Sequence, residues 1–374
     1  MPRHMRWRRI AGFLTAFAIV FSIQMIWTSN NVQQPLPTRD PKLKKLLLVY
    51  QSNRSKKRQR VVYQLPGNDS QPLHHRIQPV MSTSRSNISV LEKPQGATSI
   101  TDIFIAVKSS GKFHTTRLPL LLDTWIPLAK KSTFLITDVD DPELMSRFEP
   151  GHYQMSTCPQ SHYRKGLVCK VSLAYDLFML KQRRWFCIVD DDTYINIPNL
   201  VATLQKFDST LDWYIGRPSL KYPIRVTINN LKESFWFHTG GAGYCISRAL
   251  ALKMSPHALG GKLRELADTI RVPDDVAVGY IINKKLGVDI TRMLTFHSHL
   301  EGLWRISPHD LRNQVTLSYG EFETGPNHVI SNVINLGKTI PTFPPPYDPT
   351  RLRSLHCYLF PGVTECEGMK VAIH

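Results

Sequence analysis

WFCIVDDD, running from Trp185 to Asp192, sets five apolar residues directly against three aspartates. An apolar run this short reads as a strand buried on both faces, the kind found in a parallel sheet covered by helices. Acids at the end of such a strand are costly unless something neutralises them. In extended geometry Asp190 and Asp192 share one face and Asp191 takes the other. Carboxylate oxygens prefer hard cations such as Mg²⁺ or Mn²⁺. A divalent ion there can clamp a diphosphate and stabilise it as a leaving group. A bare D-x-D is more often a loop or helix-cap cluster. Its place after a buried strand is what favours the metal.

The flanking sequence repeats the pattern. Ile103 to Val107 and Phe134 to Ile136 are further short apolar runs. Helical spacing of Leu118, Leu121, Leu122 and Trp125 predicts a helix over 115–126, with Pro119 tolerated in its first turn. Val171 to Leu180 reads as a second helix, and Pro198 opens a third. Strands alternating with helices argue for an α/β fold with a mostly parallel, doubly wound, Rossmann-like sheet. Such sheets bind ligands at the C-terminal ends of their strands.

The chain has 374 residues and a net charge of +18. Residues 1–99 hold 16 Lys/Arg against 3 Asp/Glu, whereas the remainder is almost balanced. The basic pI therefore says little about the body's ligand. Arg3, Arg6, Arg8 and Arg9 precede 18 uncharged residues, Ile10 to Trp27. That run is near the lower limit for spanning a bilayer. No small-x-small cleavage site stands out after it. The reading is a short cytoplasmic tail (1–9), a signal-anchor helix (10–27) and a lumenal body; a cleaved secretory signal is the alternative. Either topology argues against a nucleic-acid partner. Residues 28–99 read as a largely disordered stem, rich in Pro, Gln, Ser and basic residues. Its sequons, Asn53, Asn68 and Asn87, are candidate glycosylation sites. Order is expected over 100–374.

Six cysteines lie in that body: Cys158, Cys169, Cys187, Cys245, Cys357 and Cys366. An even count fits an oxidising lumen and three disulfides, for which sequence alone permits fifteen pairings. Short loops favour Cys158–Cys169 and Cys357–Cys366, which would leave Cys187–Cys245.

Three further features carry chemistry. FWFHTGGAG, Phe235 to Gly243, places small residues where a backbone can approach a ligand, after aromatics suited to a sugar wall or simply to the core. Asp274 and Asp275 follow Pro273 at the mouth of a helix. Capping needs only one of them, which leaves the other for chemistry. In Phe296-His297-Ser298-His299, a neutral imidazole can complete a metal site begun by carboxylates.

These features in this order resemble the Fringe family of glycosyltransferases. The matching strings are FIAVKSSGKFHTTRL (Phe104 to Leu118), WFCIVDDDTYIN (Trp185 to Asn196) and FWFHTGGAGYCISRALALKMSP (Phe235 to Pro256). PDDVAVGYI (Pro273 to Ile281), FHSHLEGL (Phe296 to Leu303) and QVTLSYG (Gln314 to Gly320) continue it. The resemblance implies a GT-A fold and inverting β-1,3 transfer of N-acetylglucosamine from UDP-N-acetylglucosamine, with Mn²⁺. It implies as acceptor O-linked fucose on EGF-like repeats of Notch receptors, with their ligands as further candidates, and a Golgi membrane location. Carried over, Asp192 and His299 would ligate the metal, Arg117 and Asp191 would contact the donor, and Asp275 would be the catalytic base. The family's disulfides would fall at the three pairs above. Val276, Gly302 and His238 depart from the usual Cys, Asn and Ala. The competing readings are another metal-dependent lumenal β-1,3-glycosyltransferase, such as a galactosyltransferase, and a non-catalytic protein that binds EGF repeats.

Overall fold

The computed structural model describes residues 96–363 and Cys366, apart from His162, Asn229, Pro326 and Asn327. The expected tail (1–9), apolar segment (10–27), sequons and nearly all of the stem lie outside the described residues. Among the described residues, no helix is long and apolar enough to cross a membrane. Packing begins at Thr98, which is buried and whose carbonyl accepts a hydrogen bond from Gln205 Nε2 at 2.8 Å.

The strands are β1 (Ile103–Lys108), β2 (Thr133–Thr137), β3 (Tyr153–Met155), β4 (Trp185–Asp190), β5 (Tyr194–Ile195), β6 (Tyr214–Gly216) and β7 (Ile224–Ile228). They continue with β8 (Leu231–Phe235), β9 (Tyr244–Ser247), β10 (Thr291–Arg292), β11 (Thr316–Leu317), β12 (Gly320–Gly325) and β13 (His328–Asn332). The helices are α1 (Leu118–Asp123), α2 (Pro142–Ser146), α3 (Arg164–Leu180), α4 (Ile197–Leu204), α5 (Arg248–Ala258), α6 (Lys262–Ile270), α7 (Asp274–Gly279) and α8 (Leu352–Leu359).

A seven-stranded sheet in the order β10-β6-β9-β4-β1-β2-β3 forms the centre. Its pairings are parallel except those of β9, which runs antiparallel between β4 and β6. The expected mostly parallel α/β sheet is therefore present. Both faces of β1 and β4 are buried, as their unbroken apolar runs require. Ile103, Ile105, Val107, Trp185, Cys187 and Val189 share one core with residues of α1, α4 and α8. Phe104, Ala106, Phe186 and Ile188 share the other with residues of α3, α5, α6 and α7.

The chain steps from β1 outward to β2 and β3, then returns to the opposite side of β1 as β4. The sheet's switch point thus lies between β1 and β4, where ligand crevices open at strand C-termini. Lys108 and Asp190 face each other in register at that point.

Two local expectations are revised. The helix predicted over 115–126 is shorter: α1 starts at Leu118, with Arg117 at its N-cap position. Strand alternation also stops at Asp190. The chain turns there, with Thr193 N–H donating to the Asp190 carbonyl at 3.2 Å. The extended-strand argument that put Asp190 and Asp192 on one face therefore no longer applies beyond Asp190.

All three disulfides form as the short loops favoured: Cys158–Cys169, Cys187–Cys245 and Cys357–Cys366. Cys187 and Cys245 are register partners on antiparallel β4 and β9. Their bond clamps the odd strand beside the switch point and spans 58 positions. Replacing both by alanine should lower unfolding free energy by about 2–4 kcal/mol, the usual scale for such a loop. Denaturant unfolding measures it, and an unchanged midpoint would show the clamp to be redundant.

Candidate active site

The end of β4 brings three acids to the crevice, and each is held differently. Asp190 lies 3.0 Å from Lys108 Nζ at the end of β1. Asp191 is buried, with Oδ2 accepting from Ser109 Oγ at 2.7 Å and Oδ1 from Arg117 Nη1 at 2.9 Å. The same Nη1 donates to Asp192 Oδ2 at 2.9 Å. The turn after Asp190 swings Asp191 and Asp192 toward Arg117 together. Placing Arg117 at the start of α1 brings its guanidinium to them, braced over the Phe113 ring at 3.8 Å.

Burial and its acidic neighbours raise the Asp192 carboxyl to about 8, against the opposing pull of Arg117. Burial also raises Asp191. Burial works against the charge of Arg117, but Asp192 and Asp191 outweigh it and hold the guanidinium above its ordinary range. The acids at this strand end are thus only partly neutralised by the side chains around them.

His299 enters from the loop after β10. The Ser318 hydroxyl stands between it and the acids, 3.3 Å from Asp192 Oδ1 and 3.4 Å from His299 Nδ1. Burial lowers the His299 pKa, which favours neutral imidazole. The loop is pinned from behind: Asn332 Nδ2 donates to the carbonyls of His299 and Glu301 at 2.7 and 2.8 Å. Gly320 is required here, because a Cβ would stand 2.9 Å from that of His299. Asp192 and His299 supply the oxygen and nitrogen donors that suit a divalent ion such as Mn²⁺. Among the described residues no group of three or more His, Cys, Asp or Glu side chains is placed to hold a metal. An ion here would take its remaining ligands from donor phosphate and water, as Mg²⁺-type sites commonly do.

The second pair of acids opens α7. Pro273 occupies the N-cap position and supplies no side-chain cap; Asp275 satisfies a first-turn N–H from inside the helix instead. Asp274 is buried and lies 2.5 Å from Lys108 Nζ. Asp275 is half-buried; Oδ2 accepts from Gly240 N–H at 3.0 Å and Oδ1 from Val276 N–H at 2.8 Å. Burial and the Asp274 charge push its pKa up to about 6.

The structure therefore gathers Arg117, Asp191, Asp192 and His299 on one side of the crevice, with Asp275 on the α7 side. Lys108, Ser109 and Ser318 were not singled out from sequence. Lys108 carried a signal: a lone charge ending an apolar strand, as Asp190 does. His297 turns away, with Nε2 2.8 Å from Gln314 Oε1. Phe235 and Phe237 are core residues, so no sugar wall forms from them. The departures at 238 and 276 are absorbed by packing. His238 lies against Tyr214 and, desolvated to a pKa of about 4, is neutral; Val276 is in the core.

A family model described as Fringe-like matches residues 98–363. The chain belongs to the Fringe family. It is 45% identical over 278 residues to the β-1,3-N-acetylglucosaminyltransferase lunatic fringe of Xenopus laevis, covering 73% of this chain and 72% of that protein. Against human lunatic fringe the figures are 46% over 270 residues, 71% and 69%. Against radical fringe of Gallus gallus they are 45% over 278 residues, 72% and 72%. The Fringe match spans the whole crevice, from Lys108 to Ser318.

Removing the Arg117 charge leaves two buried acids facing each other. Arg117→Met should cost about 2–4 kcal/mol, less than for a fully buried pair because the guanidinium is partly exposed. The double variant with Asp192→Asn should recover part of that loss. Chemical unfolding decides it, and equal stability of Arg117→Met and wild type would contradict the neutralising role.

Proposed function

We propose that this Fringe-family chain transfers N-acetylglucosamine from UDP-N-acetylglucosamine, in β-1,3 linkage and with inversion, to O-linked fucose on EGF-like repeats of Notch receptors. The observation that carries the reading is the division of labour between the two acid sets. One is crowded, buried and short of positive charge, as a metal–diphosphate site requires. The other contains a single half-buried carboxylate of raised pKa, held only by backbone N–H groups among the described residues.

Inversion needs one base and no covalent intermediate. Asp275 takes the proton of the fucose 3-hydroxyl as that oxygen attacks the anomeric carbon and UDP departs. A carboxylate with a pKa near 6 is ionised at neutral pH yet more basic than an ordinary aspartate. Gly240 N–H orients one of its oxygens. Asp192 and His299 would hold Mn²⁺, which when bound would supply positive charge beside the leaving diphosphate. Arg117 adds positive charge on the same side, and Asp191, fixed by Ser109 and Arg117, borders the donor. The proposed setting is the Golgi lumen, with the N-terminal apolar segment as a type II anchor; the three disulfides suit that compartment.

The direct test incubates the full-length protein with Mn²⁺, an O-fucosylated EGF repeat and a panel of UDP-sugars, then weighs the product. Addition of one N-acetylhexosamine from UDP-N-acetylglucosamine supports the reading. Transfer of galactose instead, or binding without transfer, would replace it with one of the competing functions.

Two predictions refine the roles. Chelation should abolish transfer, and Asp192→Ala should do the same while leaving the protein folded, because removing a carboxyl whose burial is unfavourable offsets the loss of its bonds to Arg117 and Ser318. Full turnover in excess chelator would remove the metal from the account. Asp275→Asn should lower turnover by roughly 10²–10⁴, the span for loss of a general base, with donor affinity unchanged. Wild-type kcat/KM should fall as pH drops through about 6, because the required form is the carboxylate. Near-normal turnover of Asp275→Asn would exclude it as the base.

A further inference from the structure

Lys108 ends a strand whose six side chains are all buried. Its ammonium lies 3.0 Å from Asp190 Oδ1 and 2.5 Å from Asp274 Oδ2. Asp190 terminates β4, beside the acidic cluster. Asp274 sits in the first turn of α7, 166 positions further along the chain than Lys108, and is the immediate neighbour of Asp275. The Lys108 and Asp274 side chains are only 5% and 7% exposed. One cation thus joins the strand end that carries Asp191 and Asp192 to the helix start that carries Asp275.

Gly240 completes the arrangement. Its N–H binds Asp275, and a Cβ on it would stand 3.4 Å from Lys108 Nζ and 3.7 Å from Asp275 Cβ. The ammonium and the Asp275 side chain therefore both border the same glycine. Stability alone does not call for a lysine here, since buried ion pairs are often no better than well-packed apolar residues. What the pair supplies and an apolar residue would not is a directional link between two elements of different sequence origin.

We propose that Lys108 is a positioning residue for glycosyl transfer: by bridging Asp190 and Asp274 it sets the distance between the donor end of the crevice and Asp275. This rests on the transfer reaction proposed above. Lys108 bonds Asp190 and Asp274 rather than Asp275 itself; it acts on the base through Asp274 and the first turn of α7, and its charge is also felt at Asp275. Misplacing a reacting group by about 1 Å can cost on the order of 10²-fold in rate, so a loosened bridge reports in turnover before it reports in donor binding.

The test measures kcat, the KM for UDP-N-acetylglucosamine and the melting temperature of the full-length protein. It compares wild type with Lys108→Met, Lys108→Arg and the double variant Lys108→Met/Asp274→Asn. The bridge predicts a kcat loss of about 30- to 100-fold in Lys108→Met, with donor KM changed by less than about threefold. The double variant should be no worse than the single one, because both changes break one link. Lys108→Arg should recover part of the loss. Near-wild-type turnover in either folded charge-depleted variant overturns the proposal, as does a loss that falls on donor KM alone. If neither charge-depleted variant melts cooperatively, Lys108 is a stability element and the proposal falls. Wild-type protein that transfers no sugar at all would instead overturn the function proposed above, and this inference with it.

Discussion

Three aspartates at the end of a buried strand are the constraint around which this molecule is arranged. Taking carboxylates out of water is unfavourable unless they are paired and hydrogen-bonded. The fold meets that demand from three directions. Lys108 comes from the neighbouring strand in register, Arg117 from the start of α1, and Ser109 and Ser318 from the loops that follow β1 and β11. Asp274 and Asp275 add further negative charge nearby. Lys108 and Arg117 offset only part of it, and the carboxyl of Asp192 stays well above its ordinary range. The crevice is electrostatically incomplete in the way a site for a cation and a diphosphate must be.

The switch point explains why this happens at β1 and β4 rather than elsewhere on the sheet. Chain reversal leaves the C-terminal ends of these two strands open, while helices cover both of their faces. A charge can be placed there without breaking the core, since the preceding residues keep their apolar alternation up to Val107 and Val189. The antiparallel strand β9 closes the other flank of β4. Its Cys245 is tied to Cys187, and the Gly240–Ala242 turn just before it brings a backbone N–H to Asp275. The same disulfide that anchors an unusual strand therefore also fixes the loop that holds the proposed base.

Much of this was readable from sequence, for identifiable reasons. Buried strands announce themselves as unbroken apolar runs, so β1, β2 and β4 were evident, and with them the acids that interrupt the pattern. The Asp274–Asp275 pair was evident because two adjacent acids exceed what a helix start needs, whereas only the family resemblance singled out Asp275. The turn after Asp190 was not, because alternation holds only while the backbone stays extended, and a hydrogen bond to the Asp190 carbonyl ends it at once. Strand β9 was hidden for a different reason. Four residues without a period of their own become a strand only through partners far away in the chain. The Lys108–Asp274 pair is the extreme case, since a contact across 166 positions leaves no local trace.

The central claim is that the acidic cluster is built to be neutralised by an arriving cation. Metal binding to a carboxyl held protonated should expel its proton. Calorimetric titration of Mn²⁺ with UDP, repeated in buffers of different ionisation enthalpy, reads that proton directly. Because burial and the neighbouring acids raise the Asp192 carboxyl, the account predicts net proton release on binding at neutral pH, shrinking as the pH rises. Tight binding with no proton release at any pH, unaffected by Asp192→Asn, would contradict it.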